Sequence, residues 1–281
     1  MRYHKMVRIE GGGAVVESPE LMVEERAGFA VLTLNRPERR NAITASLLGL
    51  LAIELDRLAE EGGARCAVIR GTGEHAFSVG MDLNAMAAST PEENQRLIGP
   101  GGPLRLAIAS IEEFPYPVIA MVRGYAAGAG CELATACDLR IGCGQVLMGM
   151  PPAKLGIVYP PEGIERFVAT YGLATARKLF YTARYFETEE LSAMGMLDFV
   201  CGEELEGFTM ELARDIASLA PLSMKGHKSA LRAIAREGAT GADAPERAAM
   251  NEMASKALRS ADASEGLKAF LDKRPPRFKG E

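Results

Sequence analysis

The stretch Val118-Ile119-Ala120-Met121-Val122-Arg123-Gly124-Tyr125-Ala126-Ala127-Gly128-Ala129-Gly130-Cys131-Glu132-Leu133 combines residue types that can stabilise a developing negative charge. Its apolar first half has the length of a buried strand, and its Gly/Ala-only middle opens an Ala-rich helix with a carboxylate in the first turn. With no bulky side chain at positions 128 to 130, an oxygen atom can approach the backbone N–H groups of the turn. The positive end of the helix dipole points the same way. Donors held like this stabilise charge as it forms, and removing one typically costs about 2.7–4 kcal/mol of barrier. The same small residues also suit close packing alone. Glu132 follows Ala129 by one helical turn, so its carboxylate can return toward the turn as an acid or base. A glutamate there equally complements the helix dipole with no chemistry at all.

A second motif, Ala76-Phe77-Ser78-Val79-Gly80-Met81-Asp82-Leu83, directly follows the apolar strand pattern Cys66-Ala67-Val68-Ile69-Arg70-Gly71. Upstream stands Leu32-Thr33-Leu34-Asn35-Arg36-Pro37-Glu38-Arg39-Arg40-Asn41-Ala42, and the chain ends through Gly266-Leu267-Lys268-Ala269-Phe270-Leu271-Asp272-Lys273-Arg274-Pro275-Pro276. In this order, from about Val23 to the C-terminus, the four motifs resemble the crotonase, or enoyl-CoA hydratase/isomerase, superfamily.

The resemblance implies an α/β fold, a spiral of repeated ββα units followed by a helical trimerisation region. It also implies an acyl-CoA substrate whose thioester carbonyl lies between the backbone N–H groups of Met81 and Ala129. CoA is then part of the substrate, and no separate cofactor is expected. The shared step is stabilisation of a thioester enolate, formed by proton removal, hydroxide addition or loss of carbon dioxide. Arg39 and Arg40 are placed to meet CoA phosphates by charge and donor geometry. The backbone around Phe77, Val79, Asp82 and Leu83 is expected beside the adenine and pantetheine, and Phe270 and Lys273 resemble a pair that reaches a neighbouring subunit's CoA. Met148 and Met150 suit either a flexible acyl pocket or ordinary core filling.

Which reaction follows depends on departures from the family pattern. Glu132 matches one of the two glutamates with which an enoyl-CoA hydratase handles water, but Pro152 stands where the second belongs. Proline neither gives nor takes a proton. Tyr159, in Leu155-Gly156-Ile157-Val158-Tyr159, stands where methylmalonyl-CoA decarboxylases of the family carry a tyrosine, whereas their histidine is replaced by Met81. A phenol there can orient a substrate carboxylate, and decarboxylation needs no base to form its enolate. Glu162 is a helix-start carboxylate that would replace the missing one if it reached the pocket. Isomerisation with Glu132 as the single base, or decarboxylation with Tyr159, fits these residues better than two-glutamate hydration. An ordinary hydratase is the alternative, and a catalytically weak acyl-CoA-binding or RNA-binding homologue is an alternative from another class.

The elements that must carry these residues alternate between strand and helix. A hairpin pattern at Leu21–Glu25 and Ala30–Leu34 precedes a helix with Leu47, Leu48, Leu51, Leu55 and Leu58 on one face. Strand-then-helix order recurs at 66–70, at 118–137 and from Asp138 toward helical sequence after Ile164. The polar Gly/Pro-rich stretch from Pro91 to Pro103 reads as a mobile loop. Residues 1–20 read as a lead-in, 21–220 as the spiral core and 221–281 as a helical oligomerisation region that builds a homotrimer or a dimer of trimers.

With 281 residues, 48% hydrophobic and 25% charged, the chain can bury a substantial core. Arg123 and Glu132 break its longest apolar stretch short of the roughly 18 residues of a membrane span, and the first residues lack a signal-peptide core, so a cytoplasmic protein without a membrane partner is expected. A net charge of −5 offers no electrostatic reason for nucleic acid as the main partner. The five cysteines form no Cys-x-x-Cys pair and the three histidines show no ligand spacing, so no metal site is expected.

Overall fold

The computed structural model describes residues 5–8, 14–17, 20–237 and 244–281. Strands β1 (Lys5–Arg8), β2 (Ala14–Glu17), β3 (Leu21–Arg26) and β4 (Phe29–Leu34) pair antiparallel in chain order. The lead-in thus adds two strands to the sheet, its other residues up to 19 lying outside the described ones.

From β4 onward the pairing is parallel except for one short later strand, and parallel pairing requires helical crossovers. Helix α1 (Ala45–Glu61) leads to β5 (Ala67–Gly71), followed by the short β6 (Ala76–Ser78). Then come α2 (Leu83–Ala88), α3 (Pro91–Ile98) and α4 (Pro103–Glu113), strand β7 (Val118–Ala127), α5 (Ala129–Ala136) and β8 (Leu139–Gly149). Strand β5 pairs with the first half of β7 and β6 with the second, across a register shift between Val122 and Gly124 that β8 shares. Helix α6 (Pro161–Thr182), strand β9 (Tyr185–Glu187), α7 (Thr188–Ala193), strand β10 (Phe199–Cys201) and α8 (Leu205–Ser218) complete the core, with β10 parallel to β8.

The unbroken apolar runs have a simple cause, because both faces of these strands are covered. Ala30, Leu32, Ile69, Val118, Ala120 and Val122 face α1, α4, α5 and α6, while the alternate residues Phe29, Val31, Val68, Ile119 and Met121 face Leu205, Met210 and Ala213 of α8. The leucines predicted for α1 are all buried, and Thr44 caps that helix by accepting from the N–H of Leu47 at 3.0 Å.

The stretch expected as a loop from Pro91 is instead helical through Ile98. Thr90 and Glu93 form a reciprocal capping box, and Pro91 occupies the first turn, where its missing N–H is harmless. After Pro221 the chain is helical as expected, in α9 (Pro221–Glu237), α10 (Ala244–Leu258) and α11 (Ala261–Leu271). The final residues fold back on α11, where Asp262 accepts from the N–H groups of Lys279 and Gly280, each at 2.7 Å. Leu231, Leu258, Leu267, Phe270 and Leu271 remain exposed on these helices. No helix among the described residues is long and apolar enough to cross a membrane.

Candidate active site

Two turns meet main chain to main chain. Gly80 has φ +87°, and a β-carbon there would lie 2.5 Å from the Ala127 carbonyl oxygen and 3.3 Å from the Ala129 nitrogen. Across the contact, a β-carbon on Gly130 would lie 2.5 Å from the Ser78 carbonyl oxygen. Small residues at 80 and 130 are therefore what bring the end of β6 against the start of α5. The surrounding backbone is spoken for: Ile43 N–H donates to Gly80 O at 2.8 Å, Asp82 N–H to Ile43 O at 2.9 Å and Gly128 N–H to Gly149 O at 3.0 Å. Among the described residues the N–H groups of Met81 and Ala129 donate to nothing. Ala129 is the first residue of α5, whose early N–H groups have no partner within the helix.

Glu132, in the first turn of α5, is 0% exposed and holds four donors. Arg105 of α4 straddles it with Nη1 to Oε1 and Nη2 to Oε2, both at 2.6 Å. Arg166 of α6 adds Nη1 to Oε1 at 2.8 Å, and the hydroxyl of Tyr159 donates to Oε2 in a short hydrogen bond. A carboxylate offers about four lone-pair sites, so this one is full. Arg166 also donates through Nε to Glu112 at 2.6 Å.

Tyr159 is itself 9% exposed. It reaches Glu132 because Gly163, two positions into α6, lets the ring lie against the helix backbone: a β-carbon there would stand 2.5 Å from Cε1. Burial, and next the negative charge of Glu132, push the phenol well above its usual range, so it stays protonated. Burial alone would ease the proton off Arg105, but the hydrogen bonds and charge of Glu132 outweigh it and hold the guanidinium above its usual range.

Neither Arg105 nor Arg166 was anticipated from the sequence. Arg105 sits inside an apolar helix and Arg166 four residues after Glu162, where it reads as half of a surface pair. Their partner is 27 and 34 residues away, so no local signal marks them.

The remaining expected site residues lie outside this hydrogen-bonded cluster. Glu162 is exposed and lines a separate groove of about 1330 Å³ with Glu112, Arg166, Lys228 and Leu231, a groove to which neither Met81 nor Ala129 contributes. It shares a face of α6 with Arg166, four residues on, but its side chain stays exposed while its backbone carbonyl accepts from Arg166 at 3.5 Å. The Phe77 side chain is packed in the core, so only its backbone is available to a ligand. Asp82 is also committed, capping α2 through the N–H groups of Asn84 and Ala85 and pairing with Arg36 at 3.0 Å. Val79 is half-buried, its N–H on Arg40 O at 3.2 Å, and Leu83 is exposed. Arg39 and Arg40 are exposed with no ion pair among the described residues, as phosphate ligands would need to be. Met148 and Met150 are buried core residues. Phe270, 83% exposed, and Lys273, in a left-handed turn, project from the end of α11.

The arrangement leaves two backbone N–H groups without an acceptor in two touching turns, and one helical turn further on a buried carboxylate capped by a phenol. Residues 24–281 match the family model for enoyl-CoA hydratase/isomerase. The mitochondrial methylglutaconyl-CoA hydratase of Rattus norvegicus is 32% identical over 92% of this chain and 81% of its own length. The 2,3-dehydroadipyl-CoA hydratase of Escherichia coli (strain K12) is also 32% identical, over 93% of this chain and 99% of that one. The crystal structure of an enoyl-CoA hydratase from Bacillus anthracis superposes with a TM-score of 0.84 at 30% identity, covering 93% of this chain and 100% of the other. A match through nearly the whole chain, in sequence and in fold, makes this protein a member of the enoyl-CoA hydratase/isomerase family.

Proposed function

We propose that this acyl-CoA enzyme removes carbon dioxide from a malonyl-type CoA thioester. The carrying observation is the set of donors on Glu132: three guanidinium N–H groups hold it, and only the fourth, the Tyr159 hydroxyl, belongs to a neutral and rotatable group. When a substrate carboxylate enters, that hydroxyl can turn to it while Glu132 keeps its three charged donors. No buried charge is stranded by the exchange.

With the carboxylate oriented and out of water, the bond between it and the α-carbon breaks. Its electron pair moves onto the thioester oxygen, where the N–H groups of Met81 and Ala129 stabilise the enolate. Carbon dioxide leaves, and water returns a proton to the α-carbon. No step calls for a free base, which matters because Pro152 stands where a second carboxylate would be and Glu132 has no oxygen site to spare. The same clamp weighs against isomerisation with Glu132 as the lone base.

The relatives named as hydratases favour a second reading, addition of water to a 2-enoyl-CoA. Methylmalonyl-CoA and crotonyl-CoA, with products identified by mass, separate the two. Decarboxylation expects Tyr159→Phe to lose about 10- to 150-fold in kcat/KM, the value of one hydrogen bond to a charged group. Rapid hydration of crotonyl-CoA with no carbon dioxide from methylmalonyl-CoA would overturn it.

For the CoA moiety we propose phosphate contacts from Arg39 and Arg40, and a homotrimer or dimer of trimers in which Phe270 and Lys273 complete a neighbouring copy's site. Deleting residues 264–281 should weaken CoA binding and lower the mass in solution. A truncated protein unchanged in both would refute this arrangement.

A further inference from the structure

Arg105 is spent on one partner. Both terminal nitrogens of its guanidinium go to Glu132, and its Nε is buried with no acceptor. Arg166, by contrast, divides its donors between Glu132 and Glu112. An arginine side chain only 10% exposed, with an unmatched donor, is an expensive way to tie two helices together. Its effect on Glu132 is specific: it fills one lone-pair site on each oxygen. Tyr159 and Arg166 fill the other two.

We propose that Arg105 is a positioning residue that decides which chemistry Glu132 can perform, by withholding the carboxylate from the substrate as a base. A carboxylate beside the two N–H donors is otherwise well placed to take a proton from the α-carbon of a thioester, since the resulting enolate oxygen would be stabilised at Met81 and Ala129. With four donors in place it cannot accept that proton without first losing one. Three elements supply the charged or titratable groups that face it: Arg105 from α4, Tyr159 from the turn before α6 and Arg166 from α6. Of these only Arg105 blocks both oxygens at once. The inference rests on the enolate site proposed above but not on which acyl-CoA is the substrate.

The test is exchange of α-hydrogens for deuterium in butyryl-CoA, which carries no carboxylate to lose, followed by mass and proton resonance. Wild type should exchange slowly. Arg105→Met should exchange at least tenfold faster, with the increase in kcat rather than KM, since general base catalysis is typically worth about 10²- to 10⁴-fold. Arg105→Met combined with Glu132→Gln should return to the wild-type rate. A gain of reaction is not produced by a merely damaged fold, and its loss in the double variant assigns it to Glu132. Should Arg105→Met not fold, Arg105→Lys keeps the charge while breaking the two-pronged contact, and must itself exceed wild type. A folded, CoA-binding Arg105→Met with no gain, a gain that survives Glu132→Gln, or an Arg105→Lys equal to wild type where Arg105→Met does not fold would each overturn the proposal. Failure of methylmalonyl-CoA to react is a separate result, which would remove the decarboxylase assignment and leave this comparison intact.

Discussion

Replacing Gly163 by alanine tests whether the position of the Tyr159 hydroxyl matters while leaving both hydrogen-bonding groups chemically intact. The new β-carbon would stand 2.5 Å from Cε1 and 2.8 Å from Cδ1 of Tyr159, and 3.0 Å from Oε1 of Glu132, where ordinary contact begins at 3.4 Å. The ring must retreat by about 0.9 Å to restore that contact. Such a shift carries the hydroxyl beyond the roughly 2.5–3.0 Å range of a good O–H···O bond to Glu132. Loss of a hydrogen bond to a carboxylate costs about 1.5–3 kcal/mol, overpacking adds a cost of the same size where the ring cannot retreat, and alanine's better helix propensity returns up to about 1 kcal/mol. The net expectation is a destabilisation of about 1–3 kcal/mol, read as a fall of roughly 2–4 °C in Tm per kcal/mol. Turnover should fall about 10²-fold, as expected when a reacting partner is misplaced by about 1 Å. Steady-state kinetics with methylmalonyl-CoA, or with whichever thioester the wild type turns over, measure this directly. Gly163→Ala combined with Tyr159→Phe should be no slower than Tyr159→Phe alone, because the hydroxyl is already gone. A Gly163→Ala protein with wild-type kcat and Tm, or strictly additive losses in the double variant, would refute the reasoning.

Ala129→Pro removes one oxyanion donor at a first helical position, where proline is tolerated, so turnover should drop about 10²- to 10³-fold with the circular dichroism unchanged. Full turnover in that variant would dismiss the N–H pair. Burial pushes the thiols of Cys66, Cys131 and Cys137 up to about 12, so at about pH 8 a thiol reagent should label only Cys143 and Cys201 in the native protein. Peptide mapping that finds Cys131 labelled before unfolding contradicts this. Tyr171, pushed to about 12 chiefly by burial, and Tyr159, raised by burial and then Glu132, bind their protons more tightly folded than unfolded. Their contribution is complete below about pH 10 and is lost as pH rises from there toward 12, so denaturant-measured stability should fall over that window and fall less in Tyr171→Phe.

The strand-to-helix turns that carry the proposed donors were legible because their signals are local. A strand, a run of small residues and a helix start occupy consecutive positions, and the structure puts Met81 and Ala129 at the turns those patterns mark. The clamp was not, since a guanidinium's partner is set by how α4 and α6 pack on α5 and leaves no periodicity behind. Its discovery also alters the meaning of Glu132→Gln. That change would leave Arg105 and Arg166 short of their buried counter-charge and cost about 3–5 kcal/mol, so lost activity in it would not by itself identify a base. Helix α3 is different, because its signals were present and outweighed. Thr90-Pro91-Glu92-Glu93 is a helix start despite the glycines and prolines that follow.

The contact of Gly80 with Ala127 and of Gly130 with Ser78 divides the labour of the site unevenly between backbone and side chains. The two turns meet mainly through main-chain atoms, with the Ser78 hydroxyl bracing the first of them by accepting from the Gly80 N–H at 3.2 Å and donating to Asn41 O at 2.7 Å. The cluster of Arg105, Glu132, Tyr159 and Arg166, proposed to meet the acyl group, is written wholly in side chains drawn from four separate segments. Under the proposed enolate chemistry, such a molecule can acquire a new leaving group or a new acyl chain by substitution on one side while the other keeps its task. It does so least readily by a lone change at Glu132, which strands the buried charge of Arg105. New reactions in this scaffold are therefore reached most readily by paired replacements, and libraries that vary these four positions together should yield active variants that stepwise selection misses.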